Sequence, residues 1–478
     1  MEDPILFWNH LCNEANRFDH TAPMKGTSQG GPTRSSRATA MVHLAMHDAF
    51  FGVEGSTPLY LGAGYPAYVG PNDMTAQSSS VTAAAKAVLS SLYPEQAPEF
   101  EKGASDILDR NGANATALDY GYGVAQAMLA LRAADGSEKK DGPYEYALAR
   151  PHHRPDPINA LTQISPLGPN WGKVKPFAIQ LNHGLQSFPA LTTPDYRADH
   201  EEVLKKGGAA SQPSTTRTID QTIIGLYWAY DGAKRLGTPP RLYNQIVRVI
   251  AQERGNDWVK NARLFALVNA AMGDAGIYSW YYKYTLDLWR PVIGIRNYDD
   301  NFGWDAQHGT GTNALCDPFW RPFGAPKTND NSPGARAFTP PFPAYPSGHA
   351  TFGSAAFEMV RLFYNTGAYD AEAEDTIGFK FVSAELDGVS TDNDEAIRTR
   401  HARKYDSLAQ AMFENAVSRV YLGVHWRFDG MDAKNVKQML KRSTNTPSTN
   451  TDVGGVPLGR AIARDIFNSM HIQSSVVI

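Results

Sequence analysis

Apolar residues recur at three- and four-residue intervals along most of the chain. In residues 36–53 the spacing puts Ala38, Met41, Val42, Ala45, Met46 and Ala49 on one stripe, the signature of an amphipathic helix. The same period predicts helices over 78–92, 97–110, 114–135, 217–231, 239–253, 257–276, 347–366, 371–388, 402–422 and 456–469. No alternating run of any length predicts a set of strands. The Pro-, Gly- and Asn-rich stretches 138–175 and 300–346 read as irregular loops. The second is longer than loops usually run, which points to a functional segment. Residues 443–455, STNTPSTNTDVGG, read as a connection, and no internal repeat is present. The expected fold is all-α: two four-helix bundles with long irregular loops. Residues 1–215 form an N-terminal helical bundle region and 216–478 a C-terminal bundle, together one compact unit.

Composition narrows the choice of function. With 478 residues, 42% of them hydrophobic and 20% charged, the chain can bury a large core. Its 45 basic and 49 acidic residues give a net charge of -4, which offers nothing to nucleic acid or an anionic membrane. An anion site must therefore be local, built from a few converging cations. Cys12 and Cys316 allow one disulfide but no cysteine-based metal site. No stretch approaches the roughly 20 apolar residues of a membrane span. The N-terminus is broken by Asp3, Asn9, His10 and Asn13 and does not read as a secretory signal, which points to a cytoplasmic protein.

Three clusters carry chemistry. The first is KYTLDLWRP (283–291). Seven residues at about 100° each return to within roughly 20° of the same helix face, so Lys283 and Arg290 would share it until Pro291 stops the helix. Two cations on an apolar, aromatic segment call for an anion; alone, they also read as solvated charges at a helix end. The second is PAYPSGHATFG (343–353). Ser347 is a good N-cap, and its hydroxyl, the Gly348 amide and the first-turn amides would converge on one spot, a natural oxyanion site. His349 would stand over it as a general acid or base. The plain alternative is a capped helix with a surface histidine. The third is SRVYLGVHWRFD (418–429). Arg419 and His425 would lie on different faces of a continuous helix. A left-handed cap at Gly423 would turn His425 back, and Asp429 would orient its ring. Alone, this cluster also reads as a buried helix junction. Together the clusters supply two arginines, a lysine, a helix N-terminus and two histidines, suited to a tetrahedral or trigonal-bipyramidal oxyanion.

K-x6-RP, PSGH and SR-x3-G-x-H-x3-D, in this order, resemble the signature shared by the vanadium haloperoxidases and the type 2 phosphatidic-acid phosphatases. YWAYDG (227–232), GTPPRLYNQIVR (237–248), RLFALVNAAMGDAGIYSW (263–280), ILFWNH (5–10) and VHLAMHDAFF extend the likeness to the fungal vanadium chloroperoxidases over nearly the whole chain. The resemblance implies a vanadate cofactor in the C-terminal bundle, bonded to vanadium by His425. It implies that Lys283, Arg290, Arg419, the Ser347 hydroxyl and the Gly348 amide hydrogen-bond the vanadate oxygens. His349 would be the acid–base residue and Lys283 a donor to bound peroxide. Asp231 would pair with Arg419, and Trp280 and Phe342 would flank the halide. A histidine replaces Phe342 in the bromoperoxidase branch, so Phe342 tilts the reading toward chloride, and Trp280 points the same way. Hydrogen peroxide and chloride or bromide are the implied substrates, with small organic halogen acceptors beyond them, and the family likeness suggests secretion. Activity is expected at mildly acidic to neutral pH.

Two rivals share these residues. An acid phosphatase would use His425 as nucleophile and His349 as leaving-group acid. A non-catalytic oxyanion carrier would not need His349. Other features read as structural: His43 and His47, four apart on a helix; the aromatic run 281–284; and Asp299–Asp300, a solvated loop pair. His152 and His153, in a Pro- and Arg-rich loop, are expected at the surface.

Overall fold

The computed structural model describes residues 1–21, 27–57, 59–139, 141–142, 144–147, 149–159, 165–297, 315–364, 375–432 and 452–469. It is all-α apart from one short ribbon. The first helices are α1 (Pro4–Asp19), α2 (Gly31–Glu54), α3 (Met74–Leu92), α4 (Ala97–Asn111) and α5 (Ala115–Leu131). Then come α6 (Pro194–Lys206), α7 (Ile219–Tyr227), α8 (Pro239–Glu253), α9 (Trp258–Leu286), α10 (Pro291–Asn297) and α11 (Gly348–Tyr364). Strands β1 (Phe379–Val382) and β2 (Ala402–Tyr405) precede α12 (Leu408–Tyr421), α13 (Arg427–Gly430) and α14 (Gly455–Ser469).

One group of helices, α1 to α5, packs around α3; a second surrounds α9 and α11 with α8, α12 and α14. The seam between them is α2 against α9. Helix α9 starts at Asp257, whose carboxylate caps the Lys260 amide, and at 29 residues it runs about 43 Å. It is buried on all sides from Leu264 to Trp280, as a central helix must be. Gly273 and Gly276 permit this: a Cβ would stand 2.9 Å from Phe177 at the first and 2.9 Å from Phe352 at the second. Asp274, also buried, accepts the amides of Phe177, Ala178 and Ile179 and so pins the loop before α6 onto α9. On the far side, Glu358 of α11 accepts from Arg361 and from Arg460 and Arg464 of α14.

Several expectations fail, each for a local reason. Residues 371–388 are not a helix: 371–374 lie outside the described residues, and Phe379–Val382 pairs antiparallel with Ala402–Tyr405. The four-residue strands are too short for a period of two to show. What holds them is the cross-strand pair Phe379–Tyr405, rings stacked at 4.7 Å. The helix expected over 402–422 therefore begins only at Leu408, capped by Ser407. The expected shared helix face of Lys283 and Arg290 does not exist. Helix α9 closes at Leu286, Asp287 turns left-handed (φ 50°), and Pro291 opens α10 instead of ending a helix. Helices α1, α6, α10 and α13 fall outside the predicted set. Cys12 is a buried free thiol, so the disulfide the two cysteines allow does not form. His153 is buried, not at the surface: an antiparallel bridge between His152 and Leu288 draws this loop against the end of α9. His152 remains partly exposed and binds Asp287. His43 is held by Thr39 and Asn9, and His47 by Asp48. Asp299 and Asp300, the first part of 300–346 up to residue 314, and 443–451 lie outside the described residues. Among the described residues, no helix is long and apolar enough to cross a membrane.

Candidate oxyanion site

Four chain breaks aim the three motif clusters at one another. The left-handed turn at Asp287 releases Arg290 from α9 while Lys283 stays in its last turn. Ser347 and Gly348 begin α11, with the Ser347 hydroxyl 3.4 Å from the Ala350 amide. Helix α12 ends just after Arg419, and Gly423 (φ 70°) reverses the chain so that His425 faces inward. A Cβ at Gly423 would collide with the Gly207 carbonyl, so the turn needs glycine twice over. The fourth break follows α7, where Tyr230 (φ 45°) presents Asp231.

The side chains then lock. His425 Nδ1 lies 2.7 Å from Asp429 Oδ2, and the same oxygen accepts the Trp426 amide at 3.0 Å. Because Asp429 accepts, Nδ1 carries the hydrogen and Nε2 keeps its lone pair. That lone pair meets Arg290 Nη1 at 2.8 Å. Arg290 is also held by the Phe342 and Val424 carbonyls. Arg419 forms a two-pronged pair with Asp231, at 3.0 and 2.7 Å. Lys283 lies deeper, its ammonium donating to the carbonyls of Pro343, Ala344 and Pro346. His349 Nε2 stands 2.6 Å from the Ala229 carbonyl, which makes it the donor and leaves Nδ1 with the lone pair. Asp231 is 3.9 Å from the same Nε2.

Burial sets the electrostatics. It pulls His425 and Lys283 well below their ordinary values, with Arg290 the next cause for each. It lowers Arg290 to about 9 and raises Asp429 to about 8 against the opposing pull of Lys283 and Arg290. His349 falls to about 3, through burial and then the charge of Arg419. It is therefore neutral at pH 7, with the lone pair on Nδ1.

A cavity of about 520 Å³ reaches this cluster. Of the ten sequence-nominated residues, Asp231, Trp280, Phe342, Gly348, His349, Arg419 and His425 line it. Lys283, Arg290 and Ser347 stand behind the wall. Trp280 and Phe342 pack at 4.8 Å between ring centroids, with the Lys283 ammonium 5.6 and 5.1 Å from the two rings. Sequence reasoning missed the outer wall, which includes His20, Gly31, Arg34 and Leu167. These come from the first half of the chain and carry no motif.

Two observations fit an oxyanion. Arg290 Nη2 and Arg419 Nε are fully buried N–H donors without a partner, an arrangement folded proteins avoid unless something accepts. Gly348 lines the same cavity with bare backbone at the start of α11. Three basic side chains, Lys283, Arg290 and Arg419, also gather around two acidic ones, Asp231 and Asp429. Fold and site thus define a class: helical-bundle proteins that hold an oxyanion between a histidine and two arginines.

The comparisons with known proteins make the class specific. The family model described as the vanadium chloroperoxidase N-terminal domain matches residues 2–179, and that of the VCPO second helical-bundle domain matches 263–440. Vanadium chloroperoxidase of Curvularia inaequalis is 37% identical over 97% of this chain and 89% of its own length. A bacterial vanadium-dependent iodoperoxidase shares the fold at a TM-score of 0.67 and 17% identity, covering 99% of both chains. The holo form of a bacterial vanadium-dependent chloroperoxidase does so at 0.62 and 15%, covering 95% of this chain and 96% of its own. The chain belongs to the vanadium chloroperoxidase family, and with it to the vanadium-dependent haloperoxidases.

Proposed function

We propose that the protein holds vanadate at this site and uses hydrogen peroxide to oxidise chloride, as well as bromide, to hypohalous acid. The observation that carries the reading is the pair of unpartnered buried donors, Arg290 Nη2 and Arg419 Nε, beside a histidine nitrogen whose lone pair is set by Asp429. When bound, vanadate(V) supplies a Lewis-acid centre that activates peroxide toward halide without changing oxidation state. His425 Nε2 is the ligand to the metal, with Asp429 fixing its tautomer. Arg290, Arg419, the Ser347 hydroxyl and the Gly348 amide hold the oxygens and disperse their negative charge. Asp231 keeps the Arg419 fork in plane. Lys283 adds positive charge from behind, and it donates to an oxygen in the site once one of its three carbonyls is released. His349 Nδ1 takes the proton of incoming peroxide and returns it to the departing oxygen. Per turnover, peroxide, halide and one proton give hypohalous acid and water.

Chloride is the hardest of the three halides to oxidise, and its preference rests on the halide position. Trp280 and Phe342 form a dry aromatic wall beside the Lys283 and Arg290 charges, where an anion is desolvated yet neutralised. The test is a halide series with peroxide, with and without orthovanadate. The reading predicts vanadate-dependent turnover with chloride, bromide and iodide. Turnover with iodide or bromide alone contradicts chloride oxidation, and turnover without orthovanadate contradicts the cofactor.

A further inference from the structure

The cavity is larger than the inorganic chemistry requires. An oxyanion, a peroxide molecule and a halide together fill on the order of 200 Å³, at about 30 Å³ per water-sized group. The cavity holds about 520 Å³, which leaves roughly 300 Å³, the lower end of the range for pockets that take organic ligands. Its two ends also differ in character. The inner end carries His425, Arg419 and His349. The outer end is walled by Leu167, Phe338, Pro340 and Pro341, carries one cation, Arg34, and meets the inner end at Phe342. Arg34 is half-buried on the first turn of α2, its guanidinium 5.6 Å from the Trp171 ring. Among the described residues no carboxylate pairs with it, whereas most neighbouring arginines of this fold are matched, as Arg37 is by Asp135. An unmatched guanidinium at the rim of an apolar, aromatic cavity suits a planar carboxylate attached to a ring.

Resting on the haloperoxidase reading, we propose that the outer cavity is an acceptor site for an electron-rich aromatic carboxylate. The ring stacks against Phe338 and Phe342, and the carboxylate sits on Arg34. Hypohalous acid formed at the inner end then meets this ring before it reaches bulk water. The ring's π electrons form the carbon–halogen bond, and the halogen–oxygen bond breaks with its electrons on oxygen. The ring proton leaves to that oxygen as water. Peroxide is the oxidant throughout, so halide, peroxide, one proton and the arene give the aryl halide and two waters.

The test uses the full chain reconstituted with orthovanadate and 4-hydroxybenzoate as probe, with its methyl ester as the uncharged control. Calorimetric titration without peroxide is expected to show saturable binding of the acid, at least tenfold tighter than the ester. Arg34→Gln is expected to remove that difference and Arg34→Lys to retain part of it. With bromide and peroxide, an equimolar mixture of acid and ester is expected to give an acid-to-ester product ratio at least fivefold above that of reagent hypobromous acid. Equal binding of acid and ester, unchanged binding in Arg34→Gln, or the reagent's product ratio overturns the acceptor site. Triiodide formation without any organic acceptor is read alongside. If it persists when the acceptor signals are absent, only the acceptor site is wrong; if triiodide itself is absent, both readings fall.

Discussion

Single hydrogen bonds decide what the histidines of this site do. Asp429 accepts from His425 Nδ1 and from the Trp426 amide, so the nitrogen that faces the cavity has no proton to lose. Asp429→Asn keeps the size but offers an N–H where an acceptor is needed. It is expected to weaken orthovanadate binding 10- to 100-fold, as loss of such outer partners usually does, measured by titration against halide-oxidation activity. His349 makes a complementary case. Burial, then Arg419, lowers it to about 3 in the free protein, so it stays neutral between pH 5 and 8. A bound oxyanion adds negative charge beside it and opposes both causes, which moves its ionisation up toward that window. The rate of the loaded enzyme is expected to show an ionisation between pH 5 and 8 that the NMR signals of His349 in the vanadate-free protein lack. His349→Ala is expected to bind orthovanadate and lose 10²- to 10⁴-fold in turnover. These side chains were readable in the sequence as residue types at fixed spacings. Their partners were readable only in part: Asp429 by its spacing from His425, Asp231 through family likeness, and the carbonyls around Lys283 not at all, since backbone acceptors leave no trace in side-chain patterns.

Among the elements, the site depends less on helices than on how they stop. The period of seven placed Lys283 and Arg290 on one helix face; the chain instead breaks at Asp287 and reaches the same site by a turn. The reversal at Gly423 was legible because its physical cause, a left-handed residue between Arg419 and His425, is one glycine is made for. Gly423→Ala puts a Cβ into the Gly207 carbonyl and costs about 1–2 kcal/mol for the left-handed conformation alone. It is expected to lower the melting temperature and to weaken orthovanadate binding at least as much as Asp429→Asn, because it moves His425 itself. A second junction, α11 to α14, turns on Glu358. Burial pushes this carboxyl up, but Arg460, Arg464 and Arg361 outweigh it and hold it below the usual carboxylate range. A depressed folded-state value stabilises the protein fully above the unfolded value near 4.5 and is lost as pH falls below it. Wild-type stability in urea is therefore expected to drop between pH 6 and pH 3 more steeply than that of Glu358→Gln. At pH 7 the variant is expected to be less stable by about 3–5 kcal/mol, the usual result of unpairing a buried ionic cluster. The ribbon β1–β2 was not legible, since four residues on each side cannot display a period and the aromatic pair that holds them is 26 positions apart.

Across the whole molecule, α2 packed on α9 brings the first half of the chain to a site whose motifs all lie in the second. The fold class and the converging cluster could be read from periodicity, three spacings and family likeness. The cavity's outer wall could not, because Gly31, Arg34 and Leu167 belong to no pattern and meet Pro341 and Phe342 only through the packing of helices far apart in sequence. The central claim is that all these parts surround one vanadate bonded to His425. Its most direct measurement is the crystal structure of the protein soaked in orthovanadate, with the anomalous signal locating the metal. The account predicts one vanadium per chain, bonded to His425 Nε2, with its oxygens on Arg290, Arg419 and the Ser347–Gly348 turn. Vanadium bound elsewhere, or a His425 nitrogen still capped by Arg290 at saturating orthovanadate, contradicts it.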